Sequence, residues 1–282
     1  MKLHIVMPVI NCVELTKQAI GSIGSSSMVH LIDNASTDET RQWGHHREEH
    51  PEGNVRVHYI RNDKRKSVSA SWNQGIDFAL ADPECEYIAI LNNDIVLHPK
   101  TLNHLMQFID HTHYLMATGD NIKDRMSIET LLSMELPVAY TDFDCQEIND
   151  WRAEGPDFSC FMITRETLRV IGKFDEHFEG AYCEDWDYHI RCNRAWNHIK
   201  NHNDFDITPQ YVHFKRLTTA PYYHYASQTI ARNVTLRHDI STYHGRNQAY
   251  YVQKWGAIHD KAMDGEGFVQ PFGDATKNWR DW

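Results

Sequence analysis

Short apolar runs alternate with segments of helical periodicity through the first 110 residues of the chain. Residues 3–9 form an apolar run typical of a buried parallel strand, and residues 13–23 then place their apolar side chains on one helical face. The same alternation recurs, which predicts strands at 29–32, 55–60 and 87–91 and helices at 40–49, 69–80 and 99–109. Four strand–helix units in succession predict an α/β fold with a parallel sheet covered by helices on both faces.

Polar segments follow each of the four predicted strands. They lie at residues 8–11, 33–38, 61–66 and 92–94. Parallel sheets bind ligands at the carboxyl ends of their strands, so we expect these segments to line one edge of the sheet.

The pattern is looser beyond Thr118. A helix is predicted at 126–134, a strand at 158–164 and a helix at 185–196. The sequence contains no internal repeat, no low-complexity tract and no linker rich in Pro, Gly or Ser. We therefore expect the second half to complete the same domain.

The composition is that of a folded acidic protein. The 282 residues include 28 Lys and Arg against 39 Asp and Glu, a net charge of −11, and 41% are hydrophobic, which argues against intrinsic disorder. No stretch reaches the roughly 18 apolar residues of a membrane span, and the first residues lead into polar positions instead of a signal-peptide cleavage site. The six cysteines are scattered, so we expect reduced thiols in a soluble, cytoplasmic protein.

Positive charge is concentrated in residues 210–254. This segment holds six basic residues and one acidic residue, together with eight aromatic residues. A basic, aromatic-rich segment inside an acidic protein is typical of a surface that faces phosphate, which would suit a nucleic-acid partner. An ordinary helical tail with solvated charges accounts for the same composition, and the sequence supports both interpretations.

Five motifs follow one another along the chain. They read PVIN at 8–11, LIDNASTDET at 31–40, SWNQGIDFAL at 71–80, YIAILNNDIVLHP at 87–99 and GKFDEHFEGAYCEDWDYHIRCNR at 172–194. In this order and spacing the sequence resembles the inverting family 2 glycosyltransferases of the GT-A fold, in the branch that holds rhamnosyltransferase-like enzymes. The resemblance covers residues 1–194 well and extends more loosely to YYHYASQTI at 222–230.

The resemblance implies a Rossmann-like, mostly parallel sheet flanked by helices, with a C-terminal helical or irregular extension. The catalytic domain is expected over residues 1–205, with a nucleotide-sugar-binding half at 1–110 and an acceptor half at 111–205. Residues 206–282 are expected to form the extension that completes the site.

The donor site is expected at the strand ends. The residues that the resemblance assigns to donor binding are Pro8, Val9, Asn11, Asp33, Asn73, Asn92, Asn93 and Asp94. Asp33 would accept a hydrogen bond from a pyrimidine imide, although the local sequence by itself favours an Asx turn or a helix cap. Gly75, two residues beyond Asn73, would permit the close approach of backbone or ligand.

A divalent cation is expected beside Asp94. The tripeptide Asn92-Asn93-Asp94 occupies the position of the family's DxD-like metal motif, and the resemblance makes Asp94 a ligand of Mn²⁺ or Mg²⁺. His224 resembles a late family histidine that completes the metal site or contacts the diphosphate, and His213 is its competitor. A polar turn at the end of a strand, and a histidine packed among tyrosines, account for the same residues without a metal.

Acidic residues at 184–187 supply the candidate base. Inverting transfer is a single in-line displacement, which needs a carboxylate to take the proton of the acceptor hydroxyl. The resemblance assigns this role to Asp185, with Glu184 beside it. Asp187 and Arg191 are spaced for a helical salt bridge. The dipole of a helix N-terminus attracts acids without any catalytic role, but it does not account for the motif that precedes them.

Together these expectations describe a metal-dependent inverting glycosyltransferase that moves a sugar from a nucleoside-diphosphate donor, first of all a UDP-sugar, to an acceptor hydroxyl. The acceptor is left open between a glycan and a hydroxymethylated base in DNA, which residues 210–254 would contact. Two alternatives are a sugar nucleotidyltransferase and a non-catalytic sugar-nucleotide or glycan-binding protein. A nucleotidyltransferase would carry a Gly-rich, basic loop after the first strand, and a binding protein would dispense with Asp94 and Asp185.

Overall fold

The computed structural model describes residues 1–137, 145–147, 158–202, 212, 215–226 and 234–256. The strands are β1 (Leu3–Val9), β2 (Ser27–Asn34), β3 (Val55–Asn62), β4 (Tyr87–Leu91), β5 (Ile95–Leu97), β6 (Met116–Asn121), β7 (Cys145–Glu147), β8 (Cys160–Thr164) and β9 (Lys215–His224). The helices are α1 (Val13–Gly21), α2 (Thr40–Glu49), α3 (Val68–Ala81), α4 (Thr101–Thr112), α5 (Ile128–Ser133), α6 (Arg165–Ile171), α7 (Glu184–His202) and α8 (Val234–Trp255).

One mixed sheet of nine strands runs through the described part of the chain, in the order β3-β2-β1-β4-β8-β6-β9-β5, with β7 paired to β9. The first four strands are parallel to one another, which confirms the predicted succession of strand–helix units. Strand β8 pairs antiparallel with β4 and with β6, whereas β9 runs parallel to β6. The α/β class is confirmed, with a sheet that is parallel through its first four strands and mixed beyond them.

Helices cover both faces of the sheet, as the alternation predicted. Along β1, Ile5 and Met7 belong to an apolar cluster that includes Ile20 of α1. Val6, which points to the opposite face, belongs to a second cluster that includes Ile76 of α3. The sheet is therefore buried on both sides, and only its edges are available to ligands.

Strand β9 returns to the first half of the sheet and pairs antiparallel with β5, so that His224 lies opposite Ile95. Strand β5 begins directly after the polar turn at 92–94. Neither strand was predicted, because β5 has only three residues and because Lys215 and Pro221 interrupt the apolar pattern of β9. Their pairing brings residues near position 224 to the carboxyl edge of β4.

Helix α8 lies in the C-terminal segment where a helical or irregular extension was expected without bounds, and it packs against the beginning of α7. Tyr251 and Trp255 are buried in an apolar cluster with Phe178 and Ile190. Its apolar residues, four of them aromatic, give no clear helical stripe, so sequence periodicity does not reveal its bounds.

Among the described basic residues of segment 210–254, several do not lie on an exposed face. Lys215 and Lys254 are buried, and Arg246 lies 3.3 Å from a carboxylate oxygen of Glu179. The expectation of a phosphate-facing surface is therefore wrong for Lys215 and Lys254, whose charges are enclosed by the protein.

The cysteines whose side chains the structure describes are free thiols. Within the described ranges, no helix combines the length and the apolarity that crossing a membrane requires.

Candidate active site

A cavity of about 360 Å³ opens where β1 and β4 end, between these strand ends and helices α7 and α8. Each of the four polar segments predicted to line one edge contributes to its wall, through residues such as Pro8, Asn34, Arg65 and Asn92. The predicted site residues that line the cavity are Pro8, Val9, Asn92, Asn93, Asp94, Glu184, Asp185 and His224.

Asp94 and His224 are in direct contact inside the cavity. The Nε2 atom of His224 lies 3.1 Å from Oδ1 of Asp94 and 3.4 Å from the side-chain nitrogen of Asn92. The backbone N–H of Tyr225 donates to the carbonyl of Asp94 at 3.0 Å, which continues the pairing of β5 with β9. The sheet therefore fixes both predicted metal ligands on one wall. His213, the competing histidine, lies outside the described residues.

The turn that carries Asp94 is anchored on both sides. The backbone N–H of Asn92 donates to the carbonyl of Ser159 at 2.9 Å. The side-chain amide of Asn93 donates to Oγ1 of Thr16 at 3.1 Å. Because these contacts tie the turn to β8 and α1, its carboxylate has a defined direction.

Asp94 and His224 supply one carboxylate and one imidazole, which suit Mn²⁺ and are compatible with Mg²⁺. Within the described residues no group of three or more His, Cys, Asp or Glu side chains could hold a metal ion. The donor set thus fits a cation that takes two protein ligands and completes its coordination with water and with oxygens of a bound ligand, as Mg²⁺ does at phosphate sites.

Asp33 is fully buried at the end of β2 and does not line the cavity. Its Oδ1 accepts a hydrogen bond from the backbone N–H of Ser36 at 2.8 Å, which confirms the predicted local turn. Its Oδ2 accepts from the hydroxyl of Tyr59 at 2.5 Å and from Arg61 at 2.6 Å. The pKa of Tyr59 is raised, mainly by burial and secondly by this hydrogen bond to Asp33. A nucleobase could reach Asp33 only if the residues that bury it moved, because its side chain is fully enclosed.

Asn11 also lies outside the cavity wall and joins two loops. Its side-chain oxygen accepts from the backbone N–H of Thr37 at 2.7 Å, and its own N–H donates to the hydroxyl of Ser36 at 2.8 Å. Asn11 has a φ of 57°, a conformation in which Asn is more common than most residues. Its contacts therefore shape the loop after β1 rather than the wall of the cavity.

Asn73 does not line the cavity either, and its amide is used inside the protein. It donates to the carbonyl of Phe174 and to the carboxylate of Glu176, both at 2.8 Å, and accepts from the N–H of Phe174 at 2.9 Å. We therefore assign Asn73 to holding the segment before α7. A Cβ at Gly75 would lie 2.3 Å from a methyl carbon of Val6, so the close approach at this glycine is that of α3 to β1.

Glu184 and Asp185 begin α7 and both line the cavity. Glu184 is buried, and its Oε2 has no hydrogen-bond partner among the described residues. Burial, together with the charges of Asp185 and Asp187, raises the pKa of Glu184 well above its usual value. One oxygen of Asp185 accepts from the backbone N–H of Trp186 at 2.8 Å. The two neighbours thus differ in chemistry, since burial favours a proton on Glu184.

The predicted salt bridge between Asp187 and Arg191 is confirmed. Nε of Arg191 lies 3.0 Å from Oδ2 of Asp187, and both side chains are buried. Oδ1 of Asp187 accepts from Lys254 at 2.6 Å and from the indole of Trp255 at 2.9 Å. Asp187 therefore connects α7 to α8 and does not face the cavity.

Several cavity residues were not among the predicted site residues. Arg65 and Lys66 come from the basic loop before α3, and Arg65 forms an ion pair with Asp239 of α8. Tyr182 and Tyr243 also line the cavity. The basic composition of the loop and the aromatic content of segment 210–254 were visible signals for Arg65 and Tyr243, but only the fold shows that they meet.

Comparisons with known proteins agree with this geometry. The model of the family "Glycosyl transferase family 2" matches residues 4–172. The low-salt glycan biosynthesis hexosyltransferase Agl10 of Haloferax volcanii is 24% identical over 171 residues, which are 58% of this chain and 52% of that protein. The chain thus spans about half the length of this curated relative.

Solved structures show the same fold. S. aureus TarS 1–349 has a TM-score of 0.52 at 15% identity, over 80% of this chain and 61% of that chain. The same fragment in complex with UDP-GlcNAc has a TM-score of 0.52 at 14% identity, over 79% of this chain and 58% of that chain. Since the family model matches more than half of the chain, the protein belongs to glycosyl transferase family 2.

Proposed function

We propose that this protein is a metal-dependent inverting glycosyltransferase that moves a sugar from a nucleoside-diphosphate donor to a hydroxyl of a glycan. The observation that carries the proposal is that one cavity joins the Asp94–His224 pair to the acidic start of α7. A UDP-sugar is the first donor to test, because TarS of the same fold has been crystallised with UDP-GlcNAc.

On the donor side, Asp94 and His224 would hold the cation. A divalent cation at this place supplies Lewis-acid stabilisation of the leaving diphosphate. Arg65 and Lys66 enter the cavity from the loop before α3 and bring positive charge towards the same phosphates. The chain thus supplies the positive side chains that a departing diphosphate needs.

On the acceptor side, Asp185 accepts the proton of the hydroxyl as the new C–O bond forms and the bond to the diphosphate breaks. Burial raises the pKa of Glu184 and so favours its protonated form. In that form Asp185 is the one negative charge of the pair that lines the cavity, and Glu184 offers an O–H to bound sugar. The two acids therefore have separate tasks in the proposed reaction.

A glycan is favoured over DNA as the acceptor by the placement of the basic residues. Among the described basic residues of segment 210–254, Lys215 and Lys254 are buried, and Arg246 is paired with Glu179. A DNA-binding surface requires exposed cations whose number sets the salt dependence of binding. Duplex binding that weakens steeply with salt would reverse this choice of acceptor.

The donor side can be tested by thermal shift with UDP-, GDP-, dTDP- and CMP-sugars, with and without Mn²⁺, because a ligand that binds the native state raises the melting temperature. We expect one nucleotide class to raise it and Mn²⁺ to increase the effect. If folded protein responds to no donor, the proposal is wrong. Product anomers analysed by NMR then test inversion, and a product with the donor's anomeric configuration would contradict it.

A further inference from the structure

The segment that leads into α7 has an unusual backbone. Gly180, Tyr182 and Cys183 have φ values of 63°, 78° and 75°. Side chains other than that of glycine rarely adopt this left-handed region, and such residues persist only where the surroundings hold them. Two such residues directly precede Glu184 and Asp185, so the direction of these carboxylates depends on whatever fixes this segment.

Asn247 of α8 fixes it through four hydrogen bonds. Its side-chain nitrogen lies 2.7, 3.0 and 2.9 Å from the carbonyl oxygens of Glu179, Ala181 and Tyr182. Its side-chain oxygen accepts from the backbone N–H of Glu179 at 2.9 Å. Asn247 is 1% exposed, so water cannot replace these contacts without a change in structure.

Two further contacts confine the middle of the segment. The carbonyl of Gly180 accepts from the backbone N–H of Val68 at 2.7 Å. A Cβ at Gly180 would lie 2.6 Å from the ring of Tyr243, so α8 occupies the space that a side chain would need. The segment is thus held between α3 on one side and α8 on the other.

The position of Asn247 is itself fixed by a buried ion cluster. Lys254 follows seven residues later, about two turns along α8, and therefore lies on the same helical face. Its ammonium group lies 2.6 Å from carboxylate oxygens of both Asp175 and Asp187, and all three side chains are buried. This cluster fixes the position of α8 along α7. It therefore also fixes the position of the Asn247 side-chain amide relative to residues 179–182.

We propose that Asn247 is a positioning residue for transfer, which holds residues 179–182 so that Asp185 meets the acceptor hydroxyl. This inference rests on the proposed function and extends it to α8, which lies beyond the region that the family model matches. Asn247 does not line the cavity, so its effect passes entirely through the backbone of this segment.

The test compares Asn247→Ala and Asn247→Asp with Gln248→Ala, an exposed neighbour on the same helix. Alanine removes all four contacts, and aspartate has the same size but cannot donate to the three carbonyls. We expect both Asn247 variants to lower kcat at least tenfold and to leave the KM for the donor within twofold. Gln248→Ala should match the wild type. The milder variant Asn247→Ser, which can still donate one hydrogen bond, should recover part of kcat.

Amide hydrogen exchange gives a second readout that does not depend on activity. In Asn247→Ala, exchange at residues 179–187 should accelerate at least tenfold, while the sheet remains protected. Unchanged kcat in folded Asn247→Ala, or a loss of donor binding as large as the loss of kcat, would overturn the inference. Absence of transfer by the wild type with every donor would instead overturn the proposed function, whatever the exchange result.

Discussion

His224 Nε2 lies 3.1 Å from Oδ1 of Asp94, although 130 residues separate the two along the chain. The contact exists because β9 returns to pair with β5, directly beyond the turn that carries Asp94. A carboxylate and an imidazole at this distance can share a proton or a cation, and their proximity makes the metal proposal testable by single substitutions.

Asp94→Asn and His224→Gln should each abolish the Mn²⁺-dependent part of the thermal shift with the nucleotide donor. Loss of one of two protein ligands removes Lewis-acid stabilisation, so turnover should fall about 10²-fold or more. Isothermal titration with Mn²⁺ and the nucleoside diphosphate measures the binding directly. Glu129→Gln, which changes an exposed acid on α5, is the matched control. A variant that retains wild-type Mn²⁺ affinity would remove that residue from the proposed metal site.

Substitutions at the start of α7 should separate the two acids. Asp185→Asn should lower kcat by about 10²–10⁴ with donor binding intact, because an amide cannot accept the proton. Glu184→Gln should cost far less, since burial raises the pKa of Glu184 and so favours its protonated form, and glutamine keeps its shape and a donor group. Steady-state kinetics of the two variants decide the assignment, and the reverse order of effects would show that the roles are exchanged.

A row of histidines across β1, β2 and β3 should make stability depend on pH. Nδ1 of His4 lies 2.9 Å from Nε2 of His30, and Nδ1 of His30 lies 3.2 Å from Nδ1 of His58. The pKa of His30 is lowered to about 3, mainly by burial and secondly by the charges of His4 and His58. The folded state therefore requires neutral His30, whereas the unfolded chain takes up a proton near pH 6.5.

The contribution of His30 to the free energy of unfolding should accordingly be constant well above pH 6.5 and fall as the pH decreases through 6.5 towards 3, by on the order of 4 kcal/mol. Urea denaturation at a series of pH values measures the slope. His30→Gln should flatten it, whereas His111→Gln, which changes an exposed histidine, should not. An equal slope in wild type and His30→Gln would contradict this origin of the acid sensitivity.

Lys254→Met should destabilise the protein by about 3–5 kcal/mol, because the carboxylates of Asp175 and Asp187 would lose a buried partner. Arg191 still pairs with Asp187, so the loss should fall most heavily on Asp175. Thermal melts of Lys254→Met and of Lys200→Met, an exposed lysine on α7, measure the difference. Equal melting temperatures would mean that the buried cluster contributes nothing to stability.

The parallel half of the sheet could be predicted because each strand there is a short apolar run followed by an amphipathic helix. Strand β9 could not, since Lys215 is buried against the ring of Tyr114 and Pro221 stands within the strand. Both residues are ordinarily signs of an exposed or irregular segment. Tertiary packing places both residues inside the sheet against their usual preferences, and the local sequence does not show this.

The sequence indicated which residues belong to the site better than it indicated which of them touch one another. Asp94 and His224 were proposed together from a resemblance, and the fold places them together. Asp33 forms the predicted local turn with one oxygen while the other meets Tyr59 and Arg61, and its expected contact with a nucleobase stays a prediction. The role of Asn247 had no local signal, since its four partners lie 65 to 68 residues away.

The insertion of β9 between β6 and β5 also has a consequence for biosynthesis. A nascent chain can form the four parallel strands while its later residues are still inside the ribosome, because those contacts are comparatively local. Asp94 is therefore synthesised well before His224, and the contact between them forms only after β9 has emerged and paired with β5. Translation supplies the carboxylate first and the imidazole last.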